Sequence, residues 1–310
     1  MGTLVQIKVY DTEANQVIKK AFDLIDDLEQ KMSLNIADSE INQINQAAGK
    51  KPIKVSAATY EVIKKALDYA KLSQGAFDPT IGPLVELWGI GTDQAQVPGK
   101  EELNKRLKLV DYKQVKLYPQ EKKVYLTTDK MSLDVGGIAK GYAADKVVDL
   151  LRKEGVDGAY ISLGGNVSVL GTKPGDELWK IGIRDPKASD QGEVMASVEL
   201  TDKTIVTSGN YERYFIEDGT RYHHILNPKT GYPARNKIIS STIVTDSSFE
   251  ADALSTILYI LGIQEGLNLI NQLEGIEALV ITKNNKVYLT SQLEDKVKIF
   301  EPQKYNVINN

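Results

Sequence analysis

Residues 214–226 read YFIEDGTRYHHIL, in which two runs rich in aromatic and β-branched residues flank Asp218-Gly219. An Asp-Gly pair between two such runs predicts a tight β-hairpin, because both residues tolerate the positive φ angles of the turn. The same pattern recurs in residues 116–128, KLYPQEKKVYLTT, and in residues 279–290, LVITKNNKVYLT, with Asn284-Asn285 at the turn. Hairpins join antiparallel strands, so the sequence predicts largely antiparallel sheets.

Other segments predict an opening strand and long helices. Val5, Ile7 and Val9 alternate with polar neighbours, which favours a strand with one buried face. Apolar residues then fall at helical spacing from about Glu13 onward, at Val17, Phe22, Ile25, Leu28 and Met32. A second helix carries Tyr60, Ile63, Leu67 and Ala70 and is predicted to end at Gln74-Gly75. Without a Pro-, Ser- or Gly-rich linker or a repeat, we predict an α+β fold of mixed, largely antiparallel sheets with packed helices, in a single domain over residues 1–310.

Composition excludes several classes of function. The 310 residues are 42% hydrophobic, and 38 Lys and Arg against 42 Asp and Glu give a net charge of −4. Such a chain can bury a large core and is a poor nucleic-acid partner. Since the overall charge would steer an anionic ligand little, local dipoles or a metal must hold any such ligand. The absence of cysteine excludes disulfides, thiolate catalysis and Cys-ligated zinc.

The two histidines of the chain stand side by side in residues 222–233, YHHILNPKTGYP. Side chains alternate along a strand, so Tyr222 and His224 are predicted to share one face while His223 points to the other. The residues therefore leave two readings open, a structural histidine or one that serves a site. The fixed turn that follows at LNPKTGYP favours a site at this strand end.

Residues 133–151, LDVGGIAKGYAADKVVDLL, predict a strand, a Gly-Gly turn and a helix. Gly136 and Gly137 would then lie at a helix N-terminus, where backbone N–H groups and Lys140 suit a phosphate or carboxylate. The spacing matches neither a Walker A loop nor a G-x-G-x-x-G loop. Tight packing of helix on strand explains the glycines nearly as well.

Residues 247–262, SSFEADALSTILYILG, predict a helix in which Asp252 and Thr256 stand four residues apart. Their side-chain oxygens can therefore meet one small target, and both are hard ligands of the kind that Mg²⁺ accepts. The alternative is a solvated Asp and a Thr that bonds back to a helix carbonyl.

Residues 74–91, QGAFDPTIGPLVELWGIG, combine glycines and prolines with apolar residues. This composition is typical of a shaped loop around a pocket or of an irregular crossing, and it leaves the two open.

Taken in order, these stretches resemble the ApbE family, the FAD:protein FMN transferases. The resemblance rests on MSLNIADSEINQIN, GAFDPTIGPLVELWG, LDVGGIAKGYAADK, SLGGNVSVLG, YHHILNPKTGYP and EADALSTILYILG, which span residues 32–262. Each motif is modest alone, but the ordered set is specific.

The resemblance implies roles for individual residues. The flavin contacts it implies are Met32, Ala76, Phe77, Asp78, Gly136, Lys140 and the backbone near Leu226. The implied Mg²⁺ site comprises Asp252, Thr256 and the carbonyl of Ala139. His224 matches the family histidine before the Asp/Asn-Pro turn and is the expected catalytic residue, with Asp252 able to share the proton transfer. Asn227 stands where many members carry Asp, which puts a carboxylate role there in doubt.

The implied reaction moves FMN from FAD onto a threonine hydroxyl of a target protein and releases AMP. Two alternatives stay open: an FAD pyrophosphatase that yields FMN and AMP, and a non-catalytic FAD-binding protein. The target is expected to present an Asp-x-x-Ser/Thr-Gly-Ala-Thr/Ser-like sequence. Family members usually work outside the cytoplasmic membrane, often as lipid-anchored proteins, so we expect that location here, with the anchoring signal not in this chain.

Overall fold

The computed structural model describes residues 3–10, 14–188, 190 and 192–309. The helices are α1 Ala14–Met32, α2 Glu40–Gln46, α3 Ala57–Leu72, α4 Gly82–Trp88, α5 Lys100–Leu107, α6 Ala139–Lys153, α7 Ser248–Leu261 and α8 Ile263–Ile270. The strands are β1 Val5–Val9, β2 Ile53–Lys54, β3 Val115–Tyr118, β4 Lys123–Leu126, β5 Ala159–Leu163, β6 Asn166–Leu170, β7 Trp179–Arg184, β8 Val194–Leu200, β9 Thr204–Gly209, β10 Tyr214–Glu217, β11 Thr220–His223, β12 Ile238–Thr245, β13 Glu277–Thr282, β14 Lys286–Leu289, β15 Val297–Ile299 and β16 Asn306–Asn309. None of the described helices is both long and apolar enough to cross a membrane.

The described residues divide into two compact units. The hairpin unit comprises Asp26–Ala139 and Asn210–Arg235, and the sheet unit comprises the described residues of 3–25, Lys140–Gly209 and 236–309. The prediction of a single domain over residues 1–310 stays a prediction.

The sheet unit is built on a sheet that has, within the described residues, eight strands in the order β1-β5-β6-β9-β12-β13-β14-β16. Neighbouring strands pair antiparallel, except that β14 and β16 run parallel. Every residue of the central strand β12 is buried, and helix α7 packs on β12 and its neighbour β9. A second sheet, β15-β8-β7, contributes Trp179, Ile181 and Ile183 to the core that also includes residues of the larger sheet. The large sheet therefore positions α7, which packs on its central strands.

The hairpin unit contains the small sheet β2-β4-β3 and the two-stranded hairpin β10-β11. In that hairpin Tyr214 pairs with His223 and Glu217 pairs with Thr220, which leaves Asp218-Gly219 at the tip. Both tip residues have positive φ angles, as the turn requires. The hairpins predicted at residues 116–128 and 279–290 are present as β3-β4 and β13-β14. All three predicted hairpins are therefore confirmed, as is the α+β class.

Helix α4 is a feature that the sequence analysis did not predict. Residues 74–91 were read as a loop or an irregular crossing, but Gly82–Trp88 form a helix. Pro83 lies in its first turn, where the missing N–H breaks no helical hydrogen bond. Gly89 ends it with a left-handed backbone at φ 58°. The proline and glycine that indicated a loop are therefore start and stop signals of a short helix.

Candidate active site

Helix α7 places Asp252 and Thr256 one turn apart in the sheet unit. Ser247 caps the helix, since its hydroxyl accepts from the Glu250 N–H. Leu254, Ile257 and Leu258 are fully buried, and the helix is buried over most of its surface. Asp252 itself is only 4% exposed. A carboxylate this deep requires partners, because desolvation of a lone charge is costly.

Asp252 obtains its partners from the first turn of helix α6. The Gly141 N–H donates to Asp252 Oδ2 at 3.0 Å. The Lys140 Nζ lies 3.3 Å from Oδ1 and 3.4 Å from Oδ2. Gly141 permits this approach, because a Cβ there would lie 2.6 Å from the Ser248 carbonyl carbon and 2.9 Å from the Asp252 Cβ. The buried carboxylate is thus held by one backbone donor and one ammonium group.

Thr256 lies in a network of hydroxyl groups between α7 and β9. Its Oγ1 lies 3.3 Å from the Ser208 Oγ, and the Ser208 Oγ lies 2.8 Å from the Ser255 Oγ. The back-bond from Thr256 Oγ1 to the Asp252 carbonyl is long, at 3.5 Å. Both expected side-chain ligands of a metal therefore lie on α7, each with contacts to a neighbouring element.

Gly136, Gly137 and Ala139 lie before and at the start of helix α6. The Gly136 N–H donates to Asp134 Oδ1 at 2.7 Å, and the Ala139 N–H donates to the Val135 carbonyl at 2.9 Å. These two amides are thus hydrogen-bonded locally, and the anion-binding role that we predicted for N–H groups at this turn stays a prediction. Ala139 is the first helical residue, and the flavin and metal assignments of Gly136 and Ala139 stay predictions.

The side chains of the predicted flavin contacts in the hairpin unit are buried. This holds for Met32, Ala76, Phe77, Asp78 and Leu226. Both oxygens of Asp78 are engaged, since Oδ1 accepts from the Thr80 N–H at 2.8 Å and Oδ2 from the Tyr112 N–H at 3.0 Å. Burial raises the pKa of Asp78, while these hydrogen bonds oppose the rise. In this structure Asp78 fixes its own loop, and its contact with flavin stays a prediction.

The two histidines have different surroundings in the hairpin unit. His223 is buried, and its Nε2 lies 3.0 Å from the Ala234 carbonyl oxygen. His224 is half-buried, and its Nδ1 lies 3.2 Å from the Arg213 carbonyl oxygen. Because β11 ends at His223, strand alternation does not reach His224. Strand alternation was the reason for predicting that the two histidines point to opposite faces. It applies to His223 but not to His224.

The turn after the histidines is fixed by its own hydrogen bonds. Asn227 Oδ1 accepts from the Lys229 N–H at 2.9 Å, and the Gly231 N–H donates to the Asn227 carbonyl at 2.9 Å. An amide oxygen serves this turn as a carboxylate would, so Asn227 is compatible with the turn geometry. The buried Trp88 of α4 donates from Nε1 to the Gly231 carbonyl at 2.7 Å.

Sequence reasoning missed Gly141 and Ser208 as partners of Asp252 and Thr256. Gly141 lies within residues 133–151, in the segment that was predicted to form a helix. Nothing in the sequence indicates that this helix meets α7. Ser208 carries no local signal.

The chain is similar to proteins of known activity. An FAD:protein FMN transferase from Treponema pallidum is 37% identical over 318 residues, which cover 97% of this chain and 88% of that protein. One from Klebsiella pneumoniae is 38% identical over 291 residues, covering 94% and 90%.

Solved structures give the same result. The crystal structure of an ApbE protein from Thermotoga maritima matches with a TM-score of 0.86 at 33% identity, covering 95% of this chain and 96% of that one. The flavin transferase ApbE from Vibrio cholerae matches with a TM-score of 0.84 at 31% identity, covering 96% of each. The chain therefore has the fold of a solved flavin transferase. The ApbE family model matches residues 1–280, and the chain belongs to the ApbE family.

Proposed function

We propose that this chain is an FAD:protein FMN transferase that requires Mg²⁺, moves FMN from FAD onto a threonine hydroxyl of a target protein and releases AMP. The relatives at 37% and 38% identity are FAD:protein FMN transferases, which supports FAD as the donor and a protein as the acceptor. The observation that carries the chemistry is the buried Asp252 carboxylate, held by Gly141 and Lys140 one helical turn from the Thr256 hydroxyl.

The residues of α7 fit a hard divalent cation. A carboxylate, a hydroxyl and the Ala139 carbonyl would supply only oxygen ligands, which is what Mg²⁺ prefers. Among the described residues no cluster of three or more His, Cys, Asp or Glu side chains is found, so most of the coordination would come from neutral oxygens, water and phosphate. When bound, Mg²⁺ would neutralise charge on the pyrophosphate. Lys140 would supply a second positive charge for the same phosphates.

In the proposed transfer step, the threonine oxygen of the acceptor forms a bond to the phosphorus of the FMN half of FAD. The P–O bond to the AMP phosphate breaks, and AMP leaves with that electron pair. The hydroxyl proton passes to a base, for which we propose His224, with Asp252 able to share the task.

The geometry at His224 supports this role. A carbonyl oxygen only accepts, so the contact at 3.2 Å requires that Nδ1 carry a proton and donate to Arg213. In the neutral ring the lone pair is then on Nε2, which is the atom that can take a proton. The contact also orients the ring.

A mass measurement separates the candidate activities. The protein is incubated with FAD, Mg²⁺ and a peptide that carries the Asp-x-x-Ser/Thr-Gly-Ala-Thr/Ser-like sequence. A peptide mass gain of one FMN group identifies the transferase, AMP without peptide modification identifies the pyrophosphatase, and bound intact FAD identifies a carrier.

Asp252→Asn tests the metal assignment within this assay. The variant keeps the size of the side chain but removes its charge, so FAD cleavage should fall far more than FAD binding. Asp246→Asn is the matched control, because Asp246 is an exposed carboxylate shortly before α7. Unchanged turnover of Asp252→Asn at saturating Mg²⁺ would show that Asp252 is not a metal ligand.

The location is part of the proposal. By the family resemblance we propose that the enzyme works outside the cytoplasmic membrane, as a lipid-anchored protein. Fractionation of the source cells, followed by detection of the chain with an antibody, tests this, and recovery in the cytoplasmic fraction would refute it.

A further inference from the structure

The Asp145 side chain on helix α6 reaches the N-terminus of helix α7. Its Oδ1 accepts from the Ser248 N–H at 2.7 Å, and its Oδ2 accepts from the Ser247 hydroxyl at 2.7 Å and the Phe249 N–H at 3.1 Å. The first N–H groups of a helix have no partner within the helix and carry the positive end of its dipole. A carboxylate from another helix therefore satisfies donors that α7 cannot satisfy itself.

Ser247 has a double role at this junction. Its hydroxyl oxygen accepts from the Glu250 N–H at 3.3 Å while its proton is donated to Asp145. Burial raises the pKa of Asp145, and the hydrogen bonds from Ser247, Phe249 and Ser248 oppose the rise. Both oxygens of the Asp145 carboxyl group therefore accept hydrogen bonds from residues at the start of α7.

The second contact between these helices lies one turn away on each. On α6 the step from Asp145 back to Gly141 is four residues, and on α7 the step from Ser248 forward to Asp252 is also four. Gly141 donates to Asp252 at this second point. One helical turn is about 5.4 Å, so two contacts at that spacing fix both the position of α7 along α6 and its rotation.

We propose that Asp145 is a positioning residue for Asp252: by fixing the N-terminus of α7, it sets the register in which Gly141 and Lys140 meet the Asp252 carboxylate. The consequence for metal binding rests on the proposed function of Asp252. Asp145 touches neither substrate nor metal in this scheme.

Asp145→Asn tests the proposal because an amide cannot replace both carboxylate oxygens. In asparagine one of the two oxygen atoms is replaced by an NH₂ group, which only donates. That group would face the N–H or O–H donors of Ser247, Ser248 and Phe249, so part of the contact must break. Groups that orient a metal ligand typically change metal affinity by about 10- to 100-fold when removed. We expect the Kd for Mn²⁺, used as a probe of the site, to rise about tenfold.

Asp149→Asn is the matched control. Asp149 lies one turn further along α6 and is exposed, so the same change of chemistry there should leave Mn²⁺ binding as it is. Ser247→Ala is a milder second variant, since it removes one donor to Asp145 but keeps the two backbone donors. It should shift binding in the same direction by a smaller factor.

A second readout needs no metal. Lys140-Gly141 is the single Lys-Gly pair of the sequence, so ¹³C-carbonyl lysine with ¹⁵N-glycine labelling selects the Gly141 amide in an NMR spectrum. This amide donates to Asp252, and its resonance should move in Asp145→Asn and stay in place in Asp149→Asn. Urea unfolding of each variant checks that the measured protein is folded.

The outcomes separate this proposal from the proposed function. If Asp145→Asn lowers the unfolding midpoint but leaves the Gly141 resonance and the Mn²⁺ affinity of the folded protein unchanged, Asp145 is only structural and the proposal is wrong. If the wild-type protein binds no Mn²⁺, or Asp252→Asn binds it equally, the metal assignment fails instead. The Gly141 resonance then decides the positioning role by itself.

Discussion

Gly141→Ala sets two physical effects against each other in a helix of the candidate site. Gly141 lies inside α6, where the change from Gly to Ala favours the helix by about 1 kcal/mol. The added Cβ would come closest to the Ser248 carbonyl oxygen and would lie 2.6 Å from the Ser248 carbonyl carbon, whereas ordinary contact begins at 3.4 Å, so the overlap is at least 3.4 − 2.6 = 0.8 Å. Since the Ser248 backbone cannot rotate away like a side chain, α6 and α7 must separate.

Separation by this amount weakens the contact to Asp252. The Gly141 N–H donates at 3.0 Å, and 0.8 Å more would take it to about 3.8 Å, beyond the range of a hydrogen bond. Overpacking costs about 1–3 kcal/mol and the loss of a hydrogen bond to a charged group about 1.5–3 kcal/mol. Against the helical gain, the net loss of unfolding free energy should be about 1.5–5 kcal/mol.

Urea unfolding measures this change, and Mn²⁺ titration of the folded protein measures its effect on the site. Gly192→Ala is the control, because Gly192 is exposed and a Cβ there would meet its neighbours at 3.5 Å or more. That variant should stay within about 0.5 kcal/mol of the wild type. A Gly141→Ala protein that is more stable than the wild type, with unchanged Mn²⁺ affinity, would refute the close approach of α6 and α7.

The remaining predictions concern the histidines and the acid stability of the sheet unit. His224→Ala should reduce FMN transfer per folded enzyme by about 10²–10⁴-fold, as for loss of a positioned base, while His223→Ala should mainly lower the melting temperature; equal mild losses in transfer would mean that neither handles a proton. Burial pushes the pKa of Asp185 up, but hydrogen bonds from Lys304 and Tyr305 hold it below its usual value. Its stabilisation is therefore complete above the unfolded pKa of about 3.9 and is lost as the pH falls through the lower folded value. Asp185→Asn should lower stability at neutral pH and remove part of the acid dependence, and parallel curves of unfolding free energy against pH for the two proteins would contradict this.

The sequence predicted the hairpins, because a short run of neighbouring residues specifies each of them. The hairpins at β3-β4, β10-β11 and β13-β14 each carry a turn between alternating runs, and each is present. The central strand β12 was not predicted. Its residues, IISSTIVT, are all buried, so it lacks the alternation of a strand with one solvated face. A strand in the middle of a covered sheet is specified by its neighbours rather than by its own period.

In the candidate site too, the sequence predicted the local feature but not the contact between distant segments. The four-residue spacing of Asp252 and Thr256 is a property of one helix and was read from the sequence. Gly141 lies 111 residues from Asp252 along the chain, and no local pattern links them. The contact depends on α6 and α7 meeting, which is decided by packing on the sheet. Motif resemblance identified the stretch that contains Gly141, but it did not reveal the contact.

The ion pair of Lys140 with Asp252 bears on how the proposed substrates would bind together. A buried ion pair adds little net stability, because desolvation offsets the attraction. In the proposed enzyme the ammonium already balances the carboxylate, so Mg²⁺ alone would bring two uncompensated positive charges next to Lys140. The pyrophosphate of FAD carries two negative charges that balance those of Mg²⁺. Because the negative charges of FAD offset the charge that Mg²⁺ brings next to Lys140, metal and FAD should bind with positive coupling, so the Kd for Mn²⁺ measured in the presence of FAD should be lower than the Kd measured without it.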